Sequence, residues 1–294
     1  MNAYQPQDLR RTRIAPTPSG YLHWGNGFSF IVTQELARLF GLKLLLRIDD
    51  GDAIRVRPEY VEDIFVSLDW LGIACDEGPS GPGAMDNWSQ LTRCEEALEI
   101  AGYLLSRGQV YACSCSRSDR HTLKEQGREH CEHRSARPLD PYQPDVVWRW
   151  RVPEHFMELV AEWPEGPLAL DLNKEMPDPV LRDRDGSPAY QLLSLSDDLL
   201  FDVDLIVRGM DLLPSSACQT ALARAIGKDA YQRRRFVHHP LISSPDGTKL
   251  SKSAGATSLK AMREGGGSPE PIRAEAMRFV EELMSAALRQ PSGG

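Results

Sequence analysis

The stretch Thr12-Arg13-Ile14-Ala15-Pro16-Thr17-Pro18-Ser19-Gly20-Tyr21-Leu22-His23-Trp24-Gly25-Asn26-Gly27 opens on a strand near Thr12 to Ala15 and turns through the prolines to Gly20. Beyond Gly27 the apolar residues Phe28, Ile31, Val32, Leu36, Leu39 and Phe40 recur at helical spacing, and Gly41 supplies the stop. The order is strand, loop, helix. Leu42 to Ile48 is apolar except at Lys43 and Arg47 and shows no helical face, which predicts a buried strand of a parallel sheet. The unit is a β-α-β crossover.

Outward from it, Pro58 suits the first turn of a helix with Val61, Ile64, Phe65, Leu68 and Leu71 on one face. A further helix is expected over Thr92 to Arg107. From Tyr111 to about Pro179 cysteines, histidines, prolines and short alternating runs such as Val147 to Val152 predict an inserted module with β content. Ala189 to Leu200 and Pro214 to Ile226 then read as helices around a buried strand at Val203 to Val207. The expected fold is α/β, a parallel sheet split into 1–110 and 181–260 by an inserted α+β module at 111–180. Residues 261–294 are expected to be a Gly-rich linker at Gly265 to Pro269 and a short helical tail, with Ile272, Ala276, Phe279, Val280, Leu283 and Ala287 on its apolar face.

With 294 residues, 41% hydrophobic and 26% charged, the chain can bury a sizeable core, which excludes a disordered or fibrous protein. A net charge of -8 excludes diffuse attraction to nucleic acid or acidic membranes, so any RNA partner needs a local basic surface. No apolar run approaches the roughly 20 residues of a membrane span and no leader is evident, so a cytoplasmic monomer is expected.

At the end of a parallel strand, the free N–H groups and dipole of the next helix form a phosphate site, to which His23 and Asn26 add donors and Gly25 close approach. Downstream, Lys249-Leu250-Ser251-Lys252-Ser253 places two lysines where they can neutralise charge on transferring phosphates. Cys113-x-Cys115 and, after fifteen residues, Cys131-x-His133 offer three thiolates and an imidazole for tetrahedral zinc, with His130 competing for the fourth position. With four protein ligands such a metal is structural.

Taken together, His23-Trp24-Gly25-Asn26 and Lys249-Leu250-Ser251-Lys252-Ser253 resemble the two signatures of class I aminoacyl-tRNA synthetases. Arg13 to Gly20, Arg47-Ile48-Asp49-Asp50, Asp185-Gly186, Tyr190, Asp197-Asp198 and Ile206-Val207-Arg208-Gly209 resemble the glutamyl branch, over about residues 11 to 260. That resemblance implies a Rossmann-like catalytic sheet. It implies ATP, with Mg²⁺, held by His23, Gly25, Asn26, Lys249 and Lys252, of which His23, Lys249 and Lys252 are catalytic. It also implies L-glutamate held by Arg13, Ala15, Thr17, Asp49, Tyr190 and Arg208. The branch usually has Glu at Asp49, so the ammonium-binding carboxylate is one methylene shorter here. It completes its zinc site with either His or Tyr.

Only 42 residues follow Lys252, too few for an anticodon-binding region, which makes the chain similar to the truncated glutamyl-queuosine tRNA(Asp) synthetases. These imply tRNA-independent glutamate activation and transfer to queuosine-containing tRNA(Asp). A ligase with a non-tRNA acceptor and a non-catalytic RNA- or amino-acid-binding paralogue stay open as alternatives. Arg233-Arg234-Arg235 is a candidate RNA contact or an exposed basic turn. Trp148 and Trp150 read as one buried strand face rather than base-stacking groups, and His238 and His239 as packing residues near the second signature.

Overall fold

The computed structural model describes residues 9–128, 130–242 and 258–289. The opening stretch forms β1 (Arg11–Ile14), a loop and α1 (Trp24–Phe40), closed by Gly41 in the left-handed region at φ 67°. β2 (Lys43–Leu46) runs parallel to β1 in the register Arg11↔Lys43 to Ile14↔Leu46. Next come α2 (Pro58–Trp70), α3 (Cys94–Ser106), β3 (Val110–Cys113), α4 (Arg117–Glu125) and β4 (Val147–Trp150). β5 (Met157–Glu162), β6 (Gly166–Asp171), α5 (Leu172–Glu175) and β7 (Val180–Arg182) follow. The chain then forms α6 (Tyr190–Leu200), β8 (Leu205–Gly209), α7 (Leu213–Ala225), β9 (Arg235–His239), α8 (Leu259–Glu264) and α9 (Glu270–Arg289).

The main sheet has the order β2-β1-β8-β9-β5-β6, parallel except for the antiparallel β5–β6 hairpin at one edge. Its strands are apolar on both sides because each face carries helices. Leu44, Leu46, Leu205 and Val207 join one core with α1 and α9, whereas Leu45, Ile206 and Phe236 point into the other with α3, α6 and α7. A second sheet, β3-β4-β7, carries Cys113 and packs with Cys115 and Cys131.

Two expectations are corrected. The division at 111 and 180 does not follow the sheets, since the hairpin Met157 to Asp171 extends the main sheet through parallel pairing of β5 with β9. Nothing local distinguishes a strand that pairs within its own module from one that pairs with a distant strand. Gly265 to Pro269 is not a free linker but a tight turn, in which Gly265, Gly266 and Gly267 donate to Ala261, Arg263 and Met262 carbonyls. This turn swings α9 onto α1, burying Ile272, Ala276, Val280, Leu283 and Ala287, while the partly buried Phe279 ring packs tilted against Phe28 at 5.7 Å. Each large aliphatic side chain buried this way contributes roughly 1.5–3 kcal/mol.

Candidate functional site

The candidate site is a buried cluster of charged side chains where β1, β2 and β8 end. Past β2 the chain stays in register with the loop after β1: Arg47 N–H donates to Ile14 O at 3.0 Å and Asp49 N–H to Pro16 O at 2.9 Å. Asp49 is thereby drawn beside Ala15 and Thr17. Just beyond, a Cβ added at Gly51 would stand 2.3 Å from Leu193 Cδ1, so a larger residue fits there only if the Leu193 side chain shifts. From the other side α6 presents Asp197 and Asp198, both fully buried.

Asp198 is the hub. Its Oδ1 accepts from Arg47 Nη1 at 2.7 Å and Arg13 Nε at 3.3 Å, and Arg208 Nη2 lies 3.9 Å from Oδ2. Arg47 is further gripped by both Asp49 oxygens, at 2.7 and 3.1 Å. Asp197 accepts from Arg93 at 2.8 Å and from Gln90 Nε2 at 2.8 Å. Burial alone would raise the Asp198 carboxyl, yet Arg13, Arg47 and Arg208 outweigh it and hold it below its ordinary value. At Asp49 burial wins over Arg47 and the carboxyl is raised.

Arg13 and Arg208 are less well served. Burial lowers the Arg13 pKa, Asp198 offsets part of this, and repulsion from Arg208 and Arg47 adds to it. Arg208, 4% exposed, donates from Nη1 to Gln219 Oε1 at 3.1 Å and Ser216 Oγ at 3.3 Å, but its buried Nε and Nη2 have no hydrogen-bond partner among the described residues. Arg13 and Arg208, which share the Asp198 carboxylate with Arg47, can accept additional anionic charge. Tyr190, first residue of α6 and exposed, is near enough to act on the charge of Arg13. Thr17 is exposed in the loop and Ala15 half-buried.

His23 and Asn26 mark the start of α1, where Asn26 Oδ1 accepts from His23 N–H at 3.0 Å. Gly25 lies between them in the first turn. Trp24 turns away from this edge, its Nε1 donating to Glu275 on α9 at 2.8 Å. That contact gives the tryptophan a structural use. Ser258 bridges His23 across the start of α1, and Leu259 N–H donates to Leu22 O at 2.7 Å. Lys249 and Lys252 lie outside the described residues.

Cys113, Cys115, Cys131 and His133 bring their ligand atoms within 4.8 Å of one another. Cys113 and Cys131 Sγ are 3.6 Å apart, and His133 Nδ1 lies 3.5 Å from Cys115 Sγ and 3.9 Å from Cys131 Sγ. A tetrahedron with Zn–S near 2.3 Å and Zn–N near 2.05 Å has S···S edges of about 3.8 Å and S···N edges of about 3.5 Å. The hydrogen bond between the thiols lowers Cys113 to about 7 and pushes Cys131 up to about 12. His130 is engaged elsewhere, its Nδ1 2.8 Å from Asp178, so His133 is the imidazole gathered with the three thiols.

Of the weaker expectations, Trp148 and Trp150 are buried as a strand face. Arg234 is neither an RNA contact nor exposed: it lies over the Tyr231 ring at 4.1 Å and donates to Val203 O and Asp198 O. Gln90, Arg93, Gln219 and Ser216 carry no local signature and escape sequence reasoning. Asp197 and Asp198 are visible as a motif without a role.

The chain belongs to the class I tRNA synthetases of the E and Q type, whose catalytic-domain model matches residues 10–283. Over 278 residues it is 36% identical to the Glutamyl-Q tRNA(Asp) synthetase of Symbiobacterium thermophilum, covering 88% of this chain and 83% of that protein. To the Glutamate--tRNA ligase of Anaeromyxobacter sp. it is 34% identical over 273 residues, covering 90% of this chain and 56% of the ligase. Glutamate-tRNA synthetase from Elizabethkingia anophelis superposes with a TM-score of 0.69 at 26% identity, over 83% of this chain and 53% of that one. The chain thus spans about half the length of the curated glutamate–tRNA ligases it matches. Among the described residues no helix is long and apolar enough to cross a membrane.

Proposed function

We propose that the chain is a ligase that activates L-glutamate with ATP, without tRNA, and passes the glutamyl group to queuosine of tRNA(Asp). The observation that carries the amino-acid half is the pair Arg13 and Arg208, buried around a single aspartate, with two Arg208 donors unspent. Glutamate supplies two carboxylates to such a pair and an ammonium to Asp49, with Tyr190 as a further donor and Ala15 and Thr17 lining the loop. The acceptor half is supported by likeness to the Symbiobacterium thermophilum protein.

In the reaction the glutamate α-carboxylate oxygen attacks the α-phosphorus of ATP, a new O–P bond forms, and the bond to the β-phosphate breaks to release pyrophosphate. His23, Gly25, Asn26 and the α1 N-terminus hold the nucleotide. Lys249 and Lys252 are assigned to the departing phosphates. Mg²⁺ bound with ATP would neutralise the triphosphate. No side-chain nucleophile takes part; positioning and electrostatics suffice. Zinc on Cys113, Cys115, Cys131 and His133 would hold the small sheet together, all four positions being protein ligands. We assign 1–110 with 181–260 to catalysis and 111–180 to acceptor binding, the β5–β6 hairpin excepted.

Pyrophosphate exchange with glutamate, glutamine and aspartate, each without tRNA, tests the first half, and glutamate is expected to lead. Nuclease digestion of labelled tRNA tests the second: label on the anticodon nucleotide is expected, and label on the 3′-adenosine favours a Glutamate--tRNA ligase activity instead. Exchange without label on any tRNA sends the activated amino acid to another acceptor.

A further inference from the structure

Behind Arg208 lies a chain of side chains that the proposed chemistry does not use. Glu162, the last residue of β5, clamps His238 twice: Oε1 accepts the backbone N–H at 2.7 Å and Oε2 lies 2.5 Å from Nδ1. The other ring nitrogen, Nε2, is 2.8 Å from Ser216 Oγ on α7, and that hydroxyl is 3.3 Å from Arg208 Nη1. The side chain of His238 is fully buried, as is Ser216, and that of Glu162 is 12% exposed. The imidazole stacks on Phe236 at 5.8 Å and 11°, so its plane is set as well as its ends.

The tautomer with Nε2 unprotonated satisfies these atoms. Nδ1–H donates to the Glu162 carboxylate, and Nε2 accepts from the Ser216 hydroxyl. The serine oxygen then keeps its lone pairs for Arg208 Nη1. The distances are those of a Ser-His-acid triad, but Ser216 Oγ is enclosed between Leu212 O at 3.3 Å, His238 and Arg208, which leaves no approach for an electrophile. The arrangement is built to orient, not to attack. It also depends on the hairpin's membership of the main sheet, because Glu162 reaches His238 only through the β5–β9 pairing at Glu162↔Phe236.

We infer that Glu162, His238 and Ser216 form a positioning relay that fixes the Arg208 guanidinium, and with it the affinity for a substrate carboxylate. The inference rests on Arg208 being a substrate ligand. Losing one hydrogen bond to a charged donor predicts, for Ser216→Ala, a glutamate KM raised roughly tenfold, with the KM for ATP changed by less than about twofold. Glu162→Gln removes the charge that sets the ring's tautomer and is expected to raise the glutamate KM about threefold to fivefold.

The deciding experiment is a double-mutant cycle by pyrophosphate exchange and glutamate calorimetry on the full chain, with circular dichroism as the check on folding. In an Arg208→Lys background the Ser216→Ala penalty is expected to vanish, because the relay has lost the group it orients. An unchanged glutamate KM in folded Ser216→Ala overturns the relay, and so does an undiminished penalty in the Arg208→Lys background. Should Ser216→Ala not fold, the same cycle with Glu162→Gln decides. If Arg208→Lys alone leaves the glutamate KM untouched while wild type exchanges normally, Arg208 is no substrate ligand and the relay falls with it. Loss of exchange with glutamate in wild type itself sinks the activity.

Discussion

The candidate site at the strand ends and the Cys/His cluster of the small sheet gather polar groups in different ways. At the strand ends, buried charges are paired with other charges of the same chain, incompletely at Arg13 and Arg208: Asp198 serves Arg13, Arg47 and Arg208, while Asp197 serves Arg93. In the cluster, three thiols and an imidazole approach one another, and Arg149 beside them helps lower the Cys113 thiol. The first centre is locked to the core from which it is built, so its failure is a failure of the whole fold. The second is tied mainly to its own small sheet, so its failure is expected to stay local.

The largest expected effect breaks the lock. Asp198→Ala leaves three buried guanidiniums without their shared counter-charge, and the loss of one partner in such a cluster costs about 3–5 kcal/mol. Urea unfolding of the purified variant should show this as one cooperative shift; a loss below about 1 kcal/mol would show that the arginines are neutralised by other groups.

Next comes Cys131→Ser. Elemental analysis is expected to fall from one zinc per chain towards none, and limited proteolysis to quicken around α4, while the unfolding midpoint of the main sheet moves far less than in Asp198→Ala. By the same measurement His133→Ala lowers zinc content and His130→Ala retains it, since His130 is held by Asp178. Equal loss in both would reverse the ligand assignment.

Acid sharpens the contrast. Asp198 is held below its ordinary value of 3.8, so its contribution to stability is fully present above that pH and is lost as pH falls through the lower folded value. Asp49 is raised, so its protonation, which begins above 3.8, favours the folded state as pH falls and offsets part of the loss. Urea midpoints between pH 3 and 6 should therefore stay nearly level to about pH 4 and drop below it. A midpoint that declines steadily from pH 6 would contradict this pairing. The smallest effect is expected at the back of α1: Trp24→Phe removes the hydrogen bond to Glu275 and should cost about 1 kcal/mol, read as a small fall in Tm.

Much of this architecture is legible in the sequence. The alternation of apolar residues from Thr12 to Ile48 specifies strand, helix and strand, because a residue's side-chain direction depends only on its neighbours along the chain. The spacing of Cys113, Cys115, Cys131 and His133 is equally local, and its ligand atoms converge. Arg13, Asp49 and Arg208 were recognisable from the motifs around them. That Arg13 and Arg208 share Asp198 was not, since charge pairing across 185 residues leaves no periodic trace. Arg234 illustrates the same limit: three consecutive arginines look like a basic surface, but the middle one is turned inward by the carbonyls of Val203 and Asp198.

The sequence by itself determined the local elements, the signature residues at the strand ends and the four metal-ligand candidates, because propensity, periodicity and short spacing are properties of contiguous chain. Only the tertiary structure decided that the β5–β6 hairpin joins the main sheet, that α9 is pressed onto α1, and that Glu162, His238 and Ser216 meet behind Arg208. Each is a choice of partner among distant segments, and that choice is made by which buried surfaces and buried charges can be satisfied together.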